Sequence, residues 1–210
     1  MNNQRAIILI FKINHFGIQL KIKPFCYPDG VLEGCLITKN KRHEIFGCVA
    51  GGAGSQKPEK FQRKKIIEGT RIPCITTKMR IHFRSNTLKE ISFPNTKKDG
   101  FDYSENFDGY QFINNKHIYI NLKCIVGKGG TQTRSLREVY WFIEGQLNII
   151  KNINNNNIYF VNILDGDEAY YVMNKFDYLL QLEHSKIKEY IYIGDLREYF
   201  VWFKKLFYVE

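Results

Sequence analysis

The chain has 210 residues, of which 44% are hydrophobic and 15% aromatic, enough for a substantial core in one domain spanning residues 1–210. This composition excludes an intrinsically disordered chain and indicates a globular protein. Lys and Arg number 31 against 21 Asp and Glu, which gives a formal net charge of +10. Such an excess favours a polyanionic partner, either nucleic acid or an acidic membrane surface.

The cysteine pattern and the hydropathy of the sequence indicate the cellular compartment. The five cysteines are an odd number, and no two of them form a C-x-x-C pair, so the pattern predicts neither a zinc knuckle nor a disulfide framework. Reduced thiols in a cytoplasmic protein are the simplest interpretation. The apolar run at residues 6–11 is too short to cross a membrane and is predicted to be a strand, so we expect no membrane association.

The first fifty residues predict a β-rich region. Residues 5–25 alternate between apolar and polar side chains in two bursts on either side of Gly17, and residues 31–49 predict a second hairpin that turns at Asn40-Lys41. The glycine-rich residues 51–55 that follow lack the spacing of a nucleotide-binding P-loop.

A basic helix is predicted from Glu59 to Glu68, with Pro58 in its first turn. Five cations lie in or beside it: Lys57, Lys60, Arg63, Lys64 and Lys65. This density of positive charge can bind phosphates, although a solvated helix face is an equally simple interpretation. The clean alternation of Met79 to Arg84 then predicts a strand.

The stretch from Glu105 to Glu138 has the most informative pattern. Asp108 lies in a turn-like setting, Asn114-Asn115 predicts a tight turn, and residues 117–126 predict a strand rich in β-branched and aromatic residues. Within that strand, Asn121 and Lys123 are two residues apart and therefore share one face. Asp108 and Lys123 thus belong to the two arms of one predicted hairpin, although each also has a simpler interpretation, as a turn residue and an exposed strand lysine.

Glycines and cations lead from this hairpin into a helix predicted over residues 133–150. Free N–H groups and the positive end of the helix dipole make such an entry a candidate phosphate site. Its candidate nucleic-acid contacts are Lys128, Thr131, Gln132 and Arg134. A plain loop, with glycines present for turn geometry, is the alternative.

The C-terminal half predicts a β-α-β-α-β-α arrangement with right-handed connections. Its elements are a strand at 158–164 that is apolar enough to be buried on both faces, a helix to about residue 182, a strand at 190–193 and a helix at 196–207. Asp165, Asp167 and Glu168 form an acidic cluster after the first of these strands. Either Asp165 or Asp167 is expected to cap the following helix, and a metal site is the alternative.

In the order of its predicted helices and strands, the segment from Lys57 to Leu164 resembles the core of the PD-(D/E)xK nuclease superfamily. This superfamily includes most type II restriction endonucleases. Asp108 matches the family's first acid and Lys123 its lysine, while Phe107 replaces the usual Pro. The resemblance implies an α/β (α+β) fold with a mixed central sheet flanked by helices. The β-rich residues 1–50 would precede this core, and an αβα extension over residues 165–210 would follow it.

One position departs from the family pattern. Asn121 stands where the family has Asp or Glu, and an amide oxygen can coordinate Mg²⁺ but does not neutralise its charge. Some members of the superfamily take the missing carboxylate from the next helix, where Glu138 occupies a comparable place. Glu105 and Asp102 are alternative second acids, Asn121 alone would leave a weakened site, and the Ser135-x-x-Glu138 spacing is also that of a capping box.

The resemblance implies a Mg²⁺-dependent endonuclease that cuts double-stranded DNA to leave a 5′-phosphate, and by analogy a homodimer. Asp108 and a second carboxylate would bind the metal, and Lys123 would orient or deprotonate the attacking water. The first alternative is a nucleic-acid-binding protein whose nuclease site is disabled at Asn121. The second is an enzyme that acts on a small phosphorylated molecule through the glycine-rich entry to the helix.

Overall fold

The computed structural model describes residues 56–125, 130–152 and 157–208. The predicted β-rich region at residues 1–50, the loop at 51–55 and most of the loop at 127–130 lie outside these residues. The helices in the described ranges are α1 (Gln56–Thr70), α2 (Thr96–Asp99), α3 (Gly130–Asn152), α4 (Asp167–Tyr171), α5 (Met173–Gln181), α6 (Ser185–Lys188) and α7 (Leu196–Phe207). The strands are β1 (Met79–His82), β2 (Thr87–Glu90), β3 (Gly109–Ile113), β4 (Lys116–Cys124), β5 (Ile158–Asp165) and β6 (Ile191–Gly194).

Within the described ranges, a four-stranded sheet of order β3-β4-β5-β6 forms the centre. β3 and β4 pair antiparallel, whereas β4, β5 and β6 run parallel. Asn114 and Asn115 form the two-residue hairpin turn between β3 and β4, with φ of 50° and 61°. Positive φ at both turn positions matches the right-handed twist of a hairpin, and Asn tolerates this conformation better than most residues. The mixed α/β architecture and this turn are confirmed.

Helices cover both faces of the sheet because β4 and β5 present apolar side chains in both directions. One face carries Tyr119 and Phe160 and packs against Ile143 and Leu147 of α3. The opposite face carries Ile120 and Leu122 of β4 and Val161 and Ile163 of β5. Ile66 of α1 and Tyr199 and Phe203 of α7 pack against this face. The prediction that the strand at 158–164 is buried on both faces is therefore confirmed.

The predicted strand at Met79–Arg84 ends at His82 and pairs with β2 as a separate two-stranded sheet. β3 forms an isolated antiparallel bridge on its other edge, between Tyr110 and Ile75. The alternation in β1 was therefore interpreted correctly as a strand. Its pairing partner was not predictable from that local pattern, because partner choice depends on residues distant in the chain.

The helix predicted to run from Asp165 to about Leu182 is divided at Val172 into α4 and α5. The prediction that Asp165 or Asp167 caps this helix is wrong: the N-cap is Gly166, with φ of 101° and no side-chain cap. Asp165 Oδ1 instead accepts a hydrogen bond from the Leu196 N–H at the start of α7. A Cβ at residue 166 would lie 2.3 Å from the Ile125 carbonyl oxygen, so both the conformation and the space require glycine.

The helix predicted over 196–207 has the predicted bounds, because Asp195 caps it by accepting the Glu198 N–H at 2.9 Å. None of the described helices combines the length and apolar character that crossing a membrane requires. The prediction of a single domain over the whole chain stays a prediction.

Candidate active site

Asp108 is the last residue before β3, and its side chain reaches across the hairpin to β4. Asp108 Oδ2 accepts a hydrogen bond from the Leu122 backbone N–H at 2.8 Å. Leu122 immediately precedes Lys123, so this bond holds the carboxylate beside the lysine. Gly109 begins β3 opposite Ile120, and a Cβ at residue 109 would lie 2.6 Å from Cys74 Sγ. Close packing in the strand, rather than a turn, therefore explains this glycine.

Lys123 is surrounded by negative charge. Its Nζ lies 3.3 Å from Glu105 Oε2, and 26% of the lysine side chain is exposed. Burial lowers the pKa of Lys123, but the charges of Asp108, Glu105 and Glu59 outweigh that effect and raise it above its ordinary value. Lys123 is therefore a fixed cation at neutral pH and is poorly suited to take a proton from water.

The pKa of Asp108 is raised as well, but for an acid this shift disfavours the charged form. Burial raises the pKa of Asp108, and the nearby charge of Glu105 adds to the increase. The Lys123 cation, the Leu122 N–H and Arg63 lower the pKa but do not cancel the increase. Burial and a second carboxylate destabilise the ionised form of such an acid, and a bound cation would stabilise that form.

The basic helix α1 carries a third carboxylate to this place. Burial raises the pKa of Glu59, and the charges of Asp108 and Glu105 raise it further, against the lowering effect of Lys123 and Arg63. Glu59 was not among the predicted site residues. The signal that points to it is helical spacing, since Glu59, Gln62, Arg63 and Ile66 follow the i, i+3, i+4, i+7 pattern of one helix face.

Two further side chains of α1 fasten the helix to the site. Arg63 Nη2 donates to the Asp108 carbonyl oxygen at 2.6 Å. Gln62 Nε2 donates to the Lys123 carbonyl oxygen at 3.3 Å and to Asp165 Oδ2 at 2.5 Å. Arg63 therefore supports the backbone at Asp108, just before β3, and its predicted contact with DNA stays a prediction.

Asn121 shares a sheet face with Lys123, as the alternation predicts, but lies deeper in the molecule, with 3% exposure. Its Nδ2 donates to Asn162 Oδ1 at 3.2 Å. Asn162 and Gln146 in turn exchange a pair of hydrogen bonds of 2.7 and 3.1 Å. The buried amide of Asn121 is thus part of a structural network that joins β4, β5 and α3.

Glu138 is exposed, and its position differs from the predicted one because α3 begins at Gly130 rather than near residue 133. It therefore lies in the third turn of the helix, beyond the reach of a first-turn capping box. The acids whose charges raise the pKa of Lys123 are Asp108, Glu105 and Glu59. Of the alternative second acids, Glu105 pairs with Lys123, while Asp102 forms an ion pair with Arg84 at 2.6 Å.

Apart from Arg63, the predicted DNA-contacting residues fall into two groups. Lys60, Lys64 and Arg134 are exposed, and Lys64 Nζ lies 3.8 Å from Glu68 in an exposed pair that contributes little to stability. Lys128 and the side chains of Lys57, Thr131 and Gln132 lie outside what the structure describes.

The residues at this site fit Mg²⁺ in chemistry. Within the described ranges, no three His, Cys, Asp or Glu side chains are grouped so as to enclose a metal ion. Mg²⁺ does not require such a cage, because it keeps several waters and binds one or two carboxylates together with phosphate oxygens. Asp108 and Glu59 satisfy that requirement as hard oxygen donors, whereas Asn121 is buried in its amide network.

Asp165 lies behind the site, at the end of β5, and is 1% exposed. Burial raises its pKa to about 8, and the charge of Asp195 contributes, against hydrogen bonds from Gln62 and Leu196. Burial thus favours the neutral form of Asp165, and its hydrogen bonds to Gln62 and Leu196 link α1, β5 and α7. A structural role rather than a metal-binding one follows from its burial.

Comparison of this chain with known protein families, with curated proteins and with solved structures found no match.

Proposed function

We propose that this protein is a Mg²⁺-dependent endonuclease of the restriction type, which hydrolyses phosphodiester bonds in double-stranded DNA. The observation that carries the proposal is the hydrogen bond from the Leu122 N–H to Asp108, which holds an acid beside the Lys123 cation. A net charge of +10 supports a polyanionic substrate. The resemblance to the PD-(D/E)xK nucleases adds the reaction class and a restriction-endonuclease-like core.

In this proposal each side chain has a role that its surroundings support. Asp108 and Glu59 would hold Mg²⁺, which when bound supplies an activated water and neutralises charge on the phosphate. Glu59 replaces Glu138 as the preferred second acid because its pKa responds to Asp108 and Lys123. Lys123 offsets the negative charge that develops at the phosphate, and its raised pKa supports that role over proton abstraction.

Several further elements of the proposal rest on analogy with that superfamily. These are a product with a 5′-phosphate and a 3′-hydroxyl, and a homodimer that cuts both strands. A cytoplasmic location is proposed from the cysteine pattern of the sequence, which predicts no disulfide framework.

The second candidate function is nucleic-acid binding without hydrolysis. The observation that favours it is the burial of the Asn121 amide in the network with Asn162, at the position where the superfamily has a metal-binding acid. In this alternative the basic surface would still bind DNA, and the Asp108–Lys123 pair would be structural.

Metal-dependent cleavage separates the two candidates. The purified protein is incubated with phage genomic DNA and supercoiled plasmids, which together offer many sequences, in Mg²⁺ or in EDTA. We expect cleavage in Mg²⁺ by the wild type and by the Glu144→Gln control, whose side chain is exposed on α3, but not by Asp108→Asn. The asparagine retains an oxygen acceptor for the Leu122 N–H, so folding should be preserved. DNA binding with no cleavage in Mg²⁺ would favour the second candidate.

A further inference from the structure

The loop between β2 and β3 exposes two aromatic rings almost completely. Phe93 is 90% exposed and Phe101 is 92% exposed. Single apolar residues on a surface are common. Phe93 and Phe101 are eight positions apart, on either side of α2, and the described contacts give neither ring a packing role.

Local hydrogen bonds hold the segment that carries the rings. Between them lies α2, where the Asn95 and Asp99 side chains accept hydrogen bonds from the Lys97 and Asn95 N–H groups at 3.1 and 3.0 Å. Gly100, with φ of 56°, then turns the chain towards Phe101. The rings therefore project from a preorganised loop, which reduces the entropy lost when they bind a partner.

Arg80 closes the base of this loop. Its guanidinium donates to the Ile91 carbonyl oxygen at 3.1 Å and to the Ser104 carbonyl oxygen at 2.7 Å, so it ties the two ends together. Arg80 Nη2 also contacts Asn106 Oδ1 at 3.3 Å. Ser104 and Asn106 flank Glu105, which pairs with Lys123, so the base of the loop is continuous with the candidate active site.

The chemistry between the rings indicates the class of partner. Lys97 and Lys98 are both exposed, and in sequence these two positive charges lie between Phe93 and Phe101. Flat apolar rings interleaved with cations suit nucleic acid, in which stacked bases alternate with phosphates. An apolar protein partner would not need the lysines, and an acidic one would not need the bare rings.

We infer that the loop at residues 91–104 is a DNA-binding element, in which Phe93 and Phe101 stack on or wedge between bases while Lys97 and Lys98 contact the flanking phosphates. The inference deepens the proposed function and rests on it for the identity of the partner. In this arrangement the loop positions the duplex so that a backbone phosphate reaches the Asp108–Lys123 site.

Equilibrium binding separates ring contacts from charge contacts. The full chain is titrated into a short fluorescein-labelled duplex of mixed sequence at several salt concentrations, in Ca²⁺ or EDTA to prevent cleavage. We expect Phe93→Ala/Phe101→Ala to weaken binding by about tenfold or more with an unchanged salt slope, because stacking releases no counterions. Lys97→Ala/Lys98→Ala should instead reduce the slope of log K against log salt by about 2.

The matched control is Tyr178→Ala, which removes a half-exposed ring from α5. It should bind DNA as the wild type does, and circular dichroism should show all variants folded. Equal affinity for the phenylalanine double variant, the control and the wild type would overturn the inference, as would a wild type that does not bind DNA. Ring-dependent binding without cleavage would retain the inference and reject only the hydrolytic function. A dimer that the phenylalanine changes dissociate, with unchanged DNA affinity, would assign the rings to contacts between copies.

Discussion

The Asp108 carboxylate accepts the backbone N–H of Leu122 at 2.8 Å, and this bond joins the residue before β3 to the residue before Lys123. The two-residue turn at Asn114-Asn115 sets the register that makes the bond possible. An acid just before β3 and a cation in β4, separated by fifteen positions in sequence, are thereby held together. The electrostatic balance of the candidate site depends on this relationship.

Replacing Lys123 with Met should lower the cleavage rate by on the order of 10²–10³-fold, because a cation near the phosphate is lost. The Lys123 charge also lowers the pKa of Asp108. Its removal should therefore move the acid limb of the pH–rate profile to higher pH. The control is Lys89→Met, which removes an exposed lysine from β2. Cleavage at the wild-type rate by Lys123→Met would remove the lysine from the mechanism.

Glu59→Gln and Glu138→Gln test which carboxylate joins Asp108 in holding Mg²⁺. A cation that binds the folded state raises the thermal midpoint, and the increase depends on affinity. We expect Mg²⁺ to raise the midpoint of the wild type and of Glu138→Gln, and to have a much smaller effect on Glu59→Gln. Cleavage at increasing Mg²⁺ concentration should rank the three proteins in the same order. The reverse ranking would restore Glu138 as the second acid.

Asn121→Asp should destabilise the protein rather than restore a metal ligand. The Asn121 amide donates to Asn162 Oδ1, and the orientation of the Asn162 side chain is held by Gln146. A carboxylate there would face an acceptor in a buried position, at a cost of about 1–3 kcal/mol or more. Urea denaturation should reveal this loss, and plasmid cleavage should not improve. A large gain in cleavage would instead identify a lost ligand position.

Asp165→Asn should change how stability depends on pH. The pKa of this carboxyl group is raised from 3.8 to about 8 in the folded protein. Its contribution to stability is thus fully present below pH 3.8 and is lost as the pH rises towards about 8. The asparagine variant should therefore gain stability relative to the wild type as pH rises through this window. Thermal midpoints measured from pH 5 to pH 9 check the trend, and a constant difference would contradict it.

Lys60→Ala/Lys64→Ala should weaken binding to any DNA sequence and reduce the salt slope by about 2. Arg63 is kept in this variant because it supports the Asp108 backbone. The matched control is Lys175→Ala/Lys186→Ala, which removes two exposed charges from α5 and α6. These helices pack on the sheet face opposite to α1. Equal salt slopes in the two double variants would show that α1 does not contact DNA.

Local features of this protein could be predicted from the sequence because they depend on neighbouring residues. The Asn114-Asn115 turn, the alternation that places Asn121 and Lys123 on one face, and the bounds of α7 all follow from short-range patterns. Continuous apolar character likewise predicted that β5 is buried on both faces.

Only the tertiary structure decided which charged groups meet. Glu59 lies far from Asp108 in sequence, and its effect on that carboxylate arises only because α1 packs beside β4. The burial of each side chain could not be predicted either. Asn121 and Lys123 share a face, yet only Asn121 is covered there, because Asn162 and Gln146 pack around its amide. Periodicity determines the direction of a side chain, whereas burial and charge depend on elements that arrive from elsewhere in the chain.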